Sequence, residues 1–302
     1  MDGDTLTIAG KRFEHIKTRE RVSIGVFRSE DKTQFLRIGN KKSIAQEIAL
    51  HKNLIQYGFP VPSIIAEGEY GQEAYYIEQS LGEKHFGDLF LQDYKRTGKV
   101  SDVCFDSLMA LSKSFAKAQI KTAQDKNDLE SLYLGILMPV IQEELPHLWD
   151  QALSAYRIAV QKTSQFPFVL SHGDLNPHNI FEHGVIDFGN AHNAPLGYDL
   201  VCNVYQEYNF PKTGDYESMR WFEFSERQIE KYFLEIDDFL KSNGMPKLSD
   251  FREDFIVLRA IRSTARTGGN TKLRKWRTER FKKILKSYLS GVSIMDVVMN
   301  FD

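Results

Sequence analysis

The apolar residues of this chain change their period once, and that change limits the folds open to it. Up to about Gln79 they come in short alternating runs: Val22, Ile24 and Val26, then residues 33–38, then 64–66 and 74–77, the last two joined through Gly71. Alternation with a period of two marks strands with one buried face. One helical stretch interrupts them, with Ile44, Ile48, His51 and Ile55 on a common side. Ser43 and Gln46 offer it a capping box, and Gly58, Pro60 and Pro62 offer it a stop. From Ser101 onward the spacing becomes three-four, predicting helices over 101–121, 142–163, 221–239, 249–267 and 276–289, with a packed helical tail in 293–302. Residues 169–187 form a strand-like insert among them. The reading is an α+β fold of two lobes. Residues 1–79 make a small β-rich lobe with one main helix, residues 80–302 a larger, mostly helical lobe, and the hinge falls at about 78–82.

Bulk properties exclude several function classes. In 302 residues the formal net charge is −2, with 42% hydrophobic and 26% charged residues. So small a net charge makes no field that would gather nucleic acid or an anionic membrane. Cys104 and Cys202 stand far apart without a CxxC pattern, so neither a disulfide framework nor a thiolate metal site is expected. The opening MDGDTLTIAGKRF has no basic and apolar regions of a signal peptide, and no apolar run is long enough for a bilayer. A cytoplasmic protein with no nucleic-acid, membrane or obligate protein partner is expected.

The chemistry is concentrated in SHGDLNPHNIFEHGVIDFGNA, residues 171–191. Phosphoryl transfer needs a carboxylate near the attacking hydroxyl and hard oxygen ligands for Mg²⁺ on the phosphates, and otherwise mostly position and charge. Asp174, Asn179 and Asp187 are the right types for those tasks. Asp174 and Asn179 have the spacing of a kinase catalytic loop. Ile180–Phe181 and Val185–Ile186 are suited to pair across residues 182–184, returning the chain so that Asn179 and Asp187 lie side by side.

This segment, with the Ile186-Asp187-Phe188-Gly189 that closes it, resembles the signature of the aminoglycoside phosphotransferase and choline kinase superfamily. PLGYDLV at 195–201 and GFPVPSI at 58–64 are similar to flanking segments of that family, and the resemblance spans roughly residues 20–205. It implies a protein-kinase-like fold and transfer of the γ-phosphoryl of ATP or GTP to a hydroxyl of a small acceptor: an aminoglycoside, a choline-like alcohol, an amino-alcohol or a sugar. It also implies Asp174 as catalytic base, Asn179 and Asp187 as Mg²⁺ ligands, His172 as a structural member of the loop and Asp199 as its anchor. On the nucleotide side it implies Arg37 as the phosphate-binding cation with Glu47 as its acidic partner. Ile24 lies on the phosphate-loop strands, and Glu78, Gln79 and Leu81 form the hinge that meets the base. Arginine stands at 37 where lysine is the familiar kinase residue, and RERVSIGVFR has only Gly25 in place of a glycine-rich loop. Seven residues separate Asn179 from Asp187 and no APE follows, so a protein-kinase activation segment is not expected.

Other readings are open from the residues alone. A pseudokinase that binds nucleotide without chemistry is consistent with Arg37 and the glycine-poor loop. A metallophosphoesterase is faintly echoed by Gly173-Asp174 and Gly189-Asn190, but lacks the upstream DxH. His172, His178, His183 and His192 cluster in sequence without the spacing of a zinc site. Arg259, Arg262 and Arg266 share one helical side, read first as a solvated or salt-bridged stripe and second as an anion site for the acceptor. The acid-rich stretch 207–238 favours a cationic acceptor, while the basic stretch 252–286 favours the opposite.

Overall fold

The computed structural model describes residues 5–19, 23–269 and 271–302. Val22 and its neighbours Glu20 and Arg21 in the expected phosphate loop lie outside the described residues, as do the first four residues of the opening segment. The chain forms two compact units. One runs up to Phe86 and takes in His178–Ile186; the other holds Gly87–Pro177 and Asp187–Asp302.

The first unit is a six-stranded antiparallel sheet in the order β1-β2-β3-β4-β6-β5. Its strands are β1 (Thr5–Ile8), β2 (Lys11–Arg19), β3 (Ile24–Ser29), β4 (Gln34–Gly39), β5 (Ile64–Tyr70) and β6 (Glu73–Gln79). The edge hairpin β1–β2 was not evident from the sequence: β2 has mostly exposed side chains and so no clean apolar alternation. Alternation sorts the central strands into two sides. Leu36, Ile38 and Ile77 pack with Ile8, Phe13 and Phe27 on one side. Ile24 and Tyr76 pack on the other beneath Ile44, which lies on helix α1 (Lys41–Tyr57).

Helix α1 begins differently from expectation. Its cap is Asn40, whose side chain accepts the Ser43 N–H at 2.8 Å, so Ser43 lies inside the first turn. Its end is the expected one. Gly58 adopts a left-handed φ of 81°, and Phe59 N–H returns to the Leu54 carbonyl at 3.0 Å, a Schellman closure. The buried residues of the helix are Ile44, His51 and Leu54, whereas Ile55 is 44% exposed.

The second unit is mostly helical. Helices α2 (Phe86–Thr97), which starts at the boundary, and α3 (Asp102–Ile120) lead to a short α4 (Leu129–Leu132). That turn widens over Tyr133–Leu137 and continues as α5 (Met138–Glu144). The helix expected over 142–163 is broken at Pro146, which cannot donate a backbone hydrogen bond, and restarts as α6 (Trp149–Thr163). Strand β7 (Phe168–Ser171) follows. The hairpin β8 (Ile180–Phe181) and β9 (Gly184–Val185) then returns to the first unit, where Val185 N–H bonds the Pro60 carbonyl. Strand β10 (His192–Pro195) pairs antiparallel with β7. The helices after it are α7 (Tyr198–Tyr205), α8 (Glu226–Ser242), α9 (Arg252–Arg266), α10 (Lys272–Leu289) and α11 (Met295–Asn300). Helix α8 starts five residues after Trp221, behind a reciprocal capping box between Ser225 and Gln228. Among the described residues no helix is long and apolar enough to cross a membrane.

Candidate active site

The loop that follows β7 is fixed from below by one carboxylate. Asp199, on the first turn of α7, is 1% exposed. Its Oδ2 accepts from Gln119 Nε2 at 2.9 Å, Ser171 Oγ at 2.8 Å and His172 N–H at 2.7 Å, and its Oδ1 accepts from Gly173 N–H at 2.9 Å. Gln119, from α3, had no signal in the sequence. At Gly173 the backbone turns through a left-handed φ of 76°, and a Cβ there would lie 2.3 Å from the Asn190 carbonyl oxygen. Only glycine satisfies both conditions. The His172 ring is wholly buried 4.6 Å from the Phe188 ring, and its Nδ1 accepts the Asp174 N–H at 3.2 Å.

This scaffold holds Asp174 half-buried. Its Oδ1 accepts from Arg259 Nη2 at 2.6 Å, and the same guanidinium also reaches Gln206 Oε1 at 2.7 Å and the Gly173 carbonyl at 3.5 Å. Burial works to raise the Asp174 carboxyl, but the charge and hydrogen bond of Arg259, helped by His172 and Arg262, outweigh it. The group therefore sits below the usual carboxylate range and is ionised at neutral pH. Sequence reading missed Arg259 as its partner: an arginine row at helical spacing is more often solvated. Here Arg259 and Arg262 are largely buried, and with Arg266 they line a cavity of about 410 Å³ that Asp174 also borders.

Asn179 and Asp187 flank the hairpin. Ile180 pairs Val185, Phe181 pairs Gly184, and Ile186 N–H bonds the Asn179 carbonyl at 3.0 Å. The open end thus carries Asn179 on one strand and Ile186, followed by Asp187, on the other. Asp187 holds a left-handed backbone, φ 67° and ψ 54°, a region that aspartate adopts more readily than most non-glycine residues. An exposed carboxylate and an amide oxygen are hard donors, a partial set of the kind Mg²⁺ takes when phosphates and waters supply the rest.

On the first unit the acidic partner of Arg37 is not Glu47. Arg37 lies opposite Tyr76 in the β4–β6 register, and its Nε and Nη2 both reach Glu78 Oε1 at 2.9 Å. Burial acts against the Arg37 charge, but Glu78, then Tyr76 and Glu47, hold it protonated well above the ordinary range. Glu47 bonds Arg19 at 2.6 Å and the Tyr76 hydroxyl at 3.0 Å. The reason is the strand period: Tyr76 and Glu78 share the side of β6 that Arg37 occupies on β4, which brings Glu78 within hydrogen-bond distance of the guanidinium. Glu78 therefore uses a buried side chain, 4% exposed, where the sequence suggested a backbone contact. Ile24 is also corrected. It is 0% exposed, packed in the core against Ile44 and Tyr76, with no surface left for a nucleotide. In the hinge, Gln79 N–H bonds the Ser63 carbonyl at 2.9 Å and Ser80 N–H the Thr33 carbonyl at 2.8 Å. The Leu81 side chain is nearly buried.

Residues 26–228 match the phosphotransferase enzyme family. Among solved structures, a thermostable mutant of aminoglycoside phosphotransferase APH(4)-Ia aligns with a TM-score of 0.58 and 14% identity, covering 91% of this chain and 94% of that one. A choline/ethanolamine kinase family protein from Mesorhizobium loti aligns at 0.52 and 13%, covering 95% and 92%. The aminoglycoside phosphotransferase APH(3'')-Id from Streptomyces rimosus, in complex with ADP and streptomycin, aligns at 0.51 and 13%, covering 86% and 94%. No curated protein matches the sequence. At these identities the structural likeness establishes the fold, an α+β kinase-like arrangement of sheet unit and helical unit.

Proposed function

Because this chain belongs to the phosphotransferase enzyme family, a match that takes in Asp174, Asn179 and Asp187, we propose that it transfers the γ-phosphoryl of ATP or GTP to a hydroxyl of a small molecule, using those three residues. The carrying observation is the state of Asp174. It is an ionised carboxylate at the edge of a cavity large enough for a small molecule, on a loop pinned by Asp199. A carboxylate so placed orients an acceptor hydroxyl and takes its proton as the oxygen attacks phosphorus. Asn179 and Asp187 would hold Mg²⁺, which neutralises phosphate charge when bound. Arg37, kept charged and oriented by Glu78, presents a planar guanidinium suited to phosphate oxygens. At the hinge the N–H groups of Gln79 and Ser80 are already engaged, which leaves the Leu81 N–H as the donor for a base. The ADP held by APH(3'')-Id supports a nucleotide co-substrate, and a cytoplasmic location suits one.

The test replaces Asp174 by Asn. Phosphotransfer from Mg²⁺-ATP or Mg²⁺-GTP, followed as nucleoside diphosphate release over an acceptor panel, should fall by about 10²–10⁴. Nucleotide affinity should stay close to that of the parent. Turnover equal to the parent would remove Asp174 from the reaction, and nucleotide binding without turnover in the parent would make the protein a binding module.

A further inference from the structure

The cavity beside Asp174 is walled by positive charge. Arg259, Arg262 and Arg266 reach it from α9 and Arg277 from α10, and Asp174 is the one carboxylate among its described lining residues. Asp174 is already paired with Arg259. Among the described residues the other three guanidinium groups hydrogen-bond only to neutral partners, and the one carboxylate whose charge Arg262 and Arg266 feel across the cavity is the Asp174 already bonded to Arg259. Arg262 is 2% exposed, meets the Tyr198 hydroxyl at 3.5 Å and has a buried Nε without a partner. Arg266 bonds the Asn190 side-chain oxygen at 3.0 Å. Arg277 bonds the Asn209 carbonyl at 3.0 Å and the Thr267 hydroxyl at 2.6 Å. Four like charges set around one cavity with a single carboxylate among them oppose one another. Burial first, then Arg262 and Arg259, push Arg266 down against the pull of Asp174, and burial, then Arg259, push Arg277 to about 10; Arg262 is instead raised, burial being outweighed by Tyr198 together with Tyr133. An anion would relieve this repulsion, and the guanidinium fork fits phosphate and carboxylate oxygens alike.

Several acids of the stretch that could have received a cationic acceptor have partners elsewhere. Glu223 holds Lys212 and Arg220, Glu235 holds Lys113, Asp215 holds Lys272, and Asp237 accepts from Ser249. None of them lines the cavity. A cationic alcohol would enter a wall of like charge.

We propose that the acceptor is a small hydroxylated anion, whose phosphate or carboxylate is received by Arg262, Arg266 and Arg277 while its hydroxyl lies at Asp174. This rests on the phosphotransfer reading above. The acceptor oxygen bonds to the γ-phosphorus as the bond from that phosphorus to the bridging oxygen breaks. The hydroxyl proton passes to Asp174, and the nucleoside diphosphate leaves. The cavity volume is that of a small-molecule site, so a monosaccharide phosphate or a sugar acid is the expected size.

The test is a thermal-shift titration of the full chain with Mg²⁺ and ADP. Its arms are alcohol phosphates (glycerol 3-phosphate, glucose 6-phosphate), hydroxy acids (glycerate, gluconate), inorganic phosphate, and cationic alcohols (choline, kanamycin). At about 10 mM, even an affinity in the millimolar range registers through mass action. One anionic arm should raise the melting temperature above inorganic phosphate, and which arm responds names the head group. The cationic arm should leave it unchanged. Arg266 lies on the exposed rim, so Arg266→Gln should keep the unliganded melting temperature and weaken the responding anion roughly tenfold. Arg277→Gln is the second variant. Stabilisation by the cationic alcohols, no response to either anionic arm, or undiminished anion binding in both variants would overturn the inference. Nucleotide binding is scored separately. An anion response without any nucleotide response would overturn the phosphotransfer reading and uphold the anion site, and the converse pattern would overturn the anion site alone.

Discussion

Asp199→Asn is the most discriminating perturbation of the scaffold, because it changes one atom among four hydrogen bonds. The aspartate accepts four hydrogen bonds, three at Oδ2 and one at Oδ1. An asparagine would keep the most bonds by placing its oxygen where Oδ2 was, leaving its NH₂ against the Gly173 N–H. That pair of donors loses about 1 kcal/mol, at the low end for a buried unsatisfied group, since Gly173 N–H also lies 3.2 Å from Ser171 Oγ. The three surviving bonds change from charge-assisted to neutral, at roughly 1 kcal/mol each. The sum is about 4 kcal/mol, a large share of the 5–15 kcal/mol that holds a typical domain. The assay is urea unfolding followed by tryptophan fluorescence. Trp149, Trp221 and Trp276 are the three tryptophans and all lie in the helical unit, so the signal reports that unit alone. The midpoint should fall by more than about 1 M. A loss under about 1 kcal/mol would refute the claim that Asp199 is the electrostatic anchor of the loop.

The two acids beside Arg37 can be told apart by stability. Glu78→Gln strands a buried guanidinium and should cost about 3–5 kcal/mol, whereas Glu47→Gln loses a partly exposed pair worth about 1 kcal/mol or less; equal losses in chemical denaturation would contradict the assigned pairing. The pH dependence follows from Asp174. Its carboxyl is depressed in the folded state, so the stabilisation it contributes is present above the ordinary carboxylate pKa and lost only as pH falls through the lowered value. The acid limb of kcat/KM should therefore lie below the usual carboxylate range. Arg259→Gln removes the principal opposing charge and leaves burial, which should move that limb upward, and an unmoved limb would show that Arg259 does not set the carboxylate.

Legibility in the sequence followed the range of the forces involved. The hairpin after Asn179 was readable because its pairing is local, although Gly184, expected in the turn, pairs with Phe181; the left-handed stop at Gly58 was readable because glycine tolerates that backbone. Asp199 was marked by family likeness, but the Gln119 that meets it comes from 80 residues away on α3, and one long-range hydrogen bond leaves no periodic trace. Arg37 was given the wrong partner although the information was present. Tyr76 and Glu78 alternate onto its side of the sheet, and that period-two argument needed the register of β4 with β6, which the sequence does not print. Ile24 was assigned to the ligand when its alternation with Val26 equally fitted the core. The cap lies at Asn40, three residues before the expected Ser43, and the helix expected from 142 restarts only at Trp149, although Asn40 and Pro146 are both signals the sequence carries.

The arginine row shows why the partner of a helical stripe matters for function: Arg259 is salt-bridged, as the spacing allowed, but to Asp174. At 3.6 residues per turn Arg259, Arg262 and Arg266 must share one side of α9, but the period cannot say whether that side meets water or a cavity. Tertiary packing decided it, bringing Asp174 within hydrogen-bond distance of Arg259 and Arg277 from α10 against the same space. A consequence joins the base to the acceptor. Positive charge around Asp174 keeps it ionised but also makes it a weak base, because the same field that stabilises the carboxylate opposes its protonation. An anionic acceptor bound to Arg262, Arg266 and Arg277 offsets part of that field. It follows from the proposal that Asp174 gains basicity when the acceptor is in place, so the acid limb of kcat should lie above that of kcat/KM. A cationic alcohol would shift Asp174 the other way, which gives the cavity a second reason, besides repulsion, to select for negative charge.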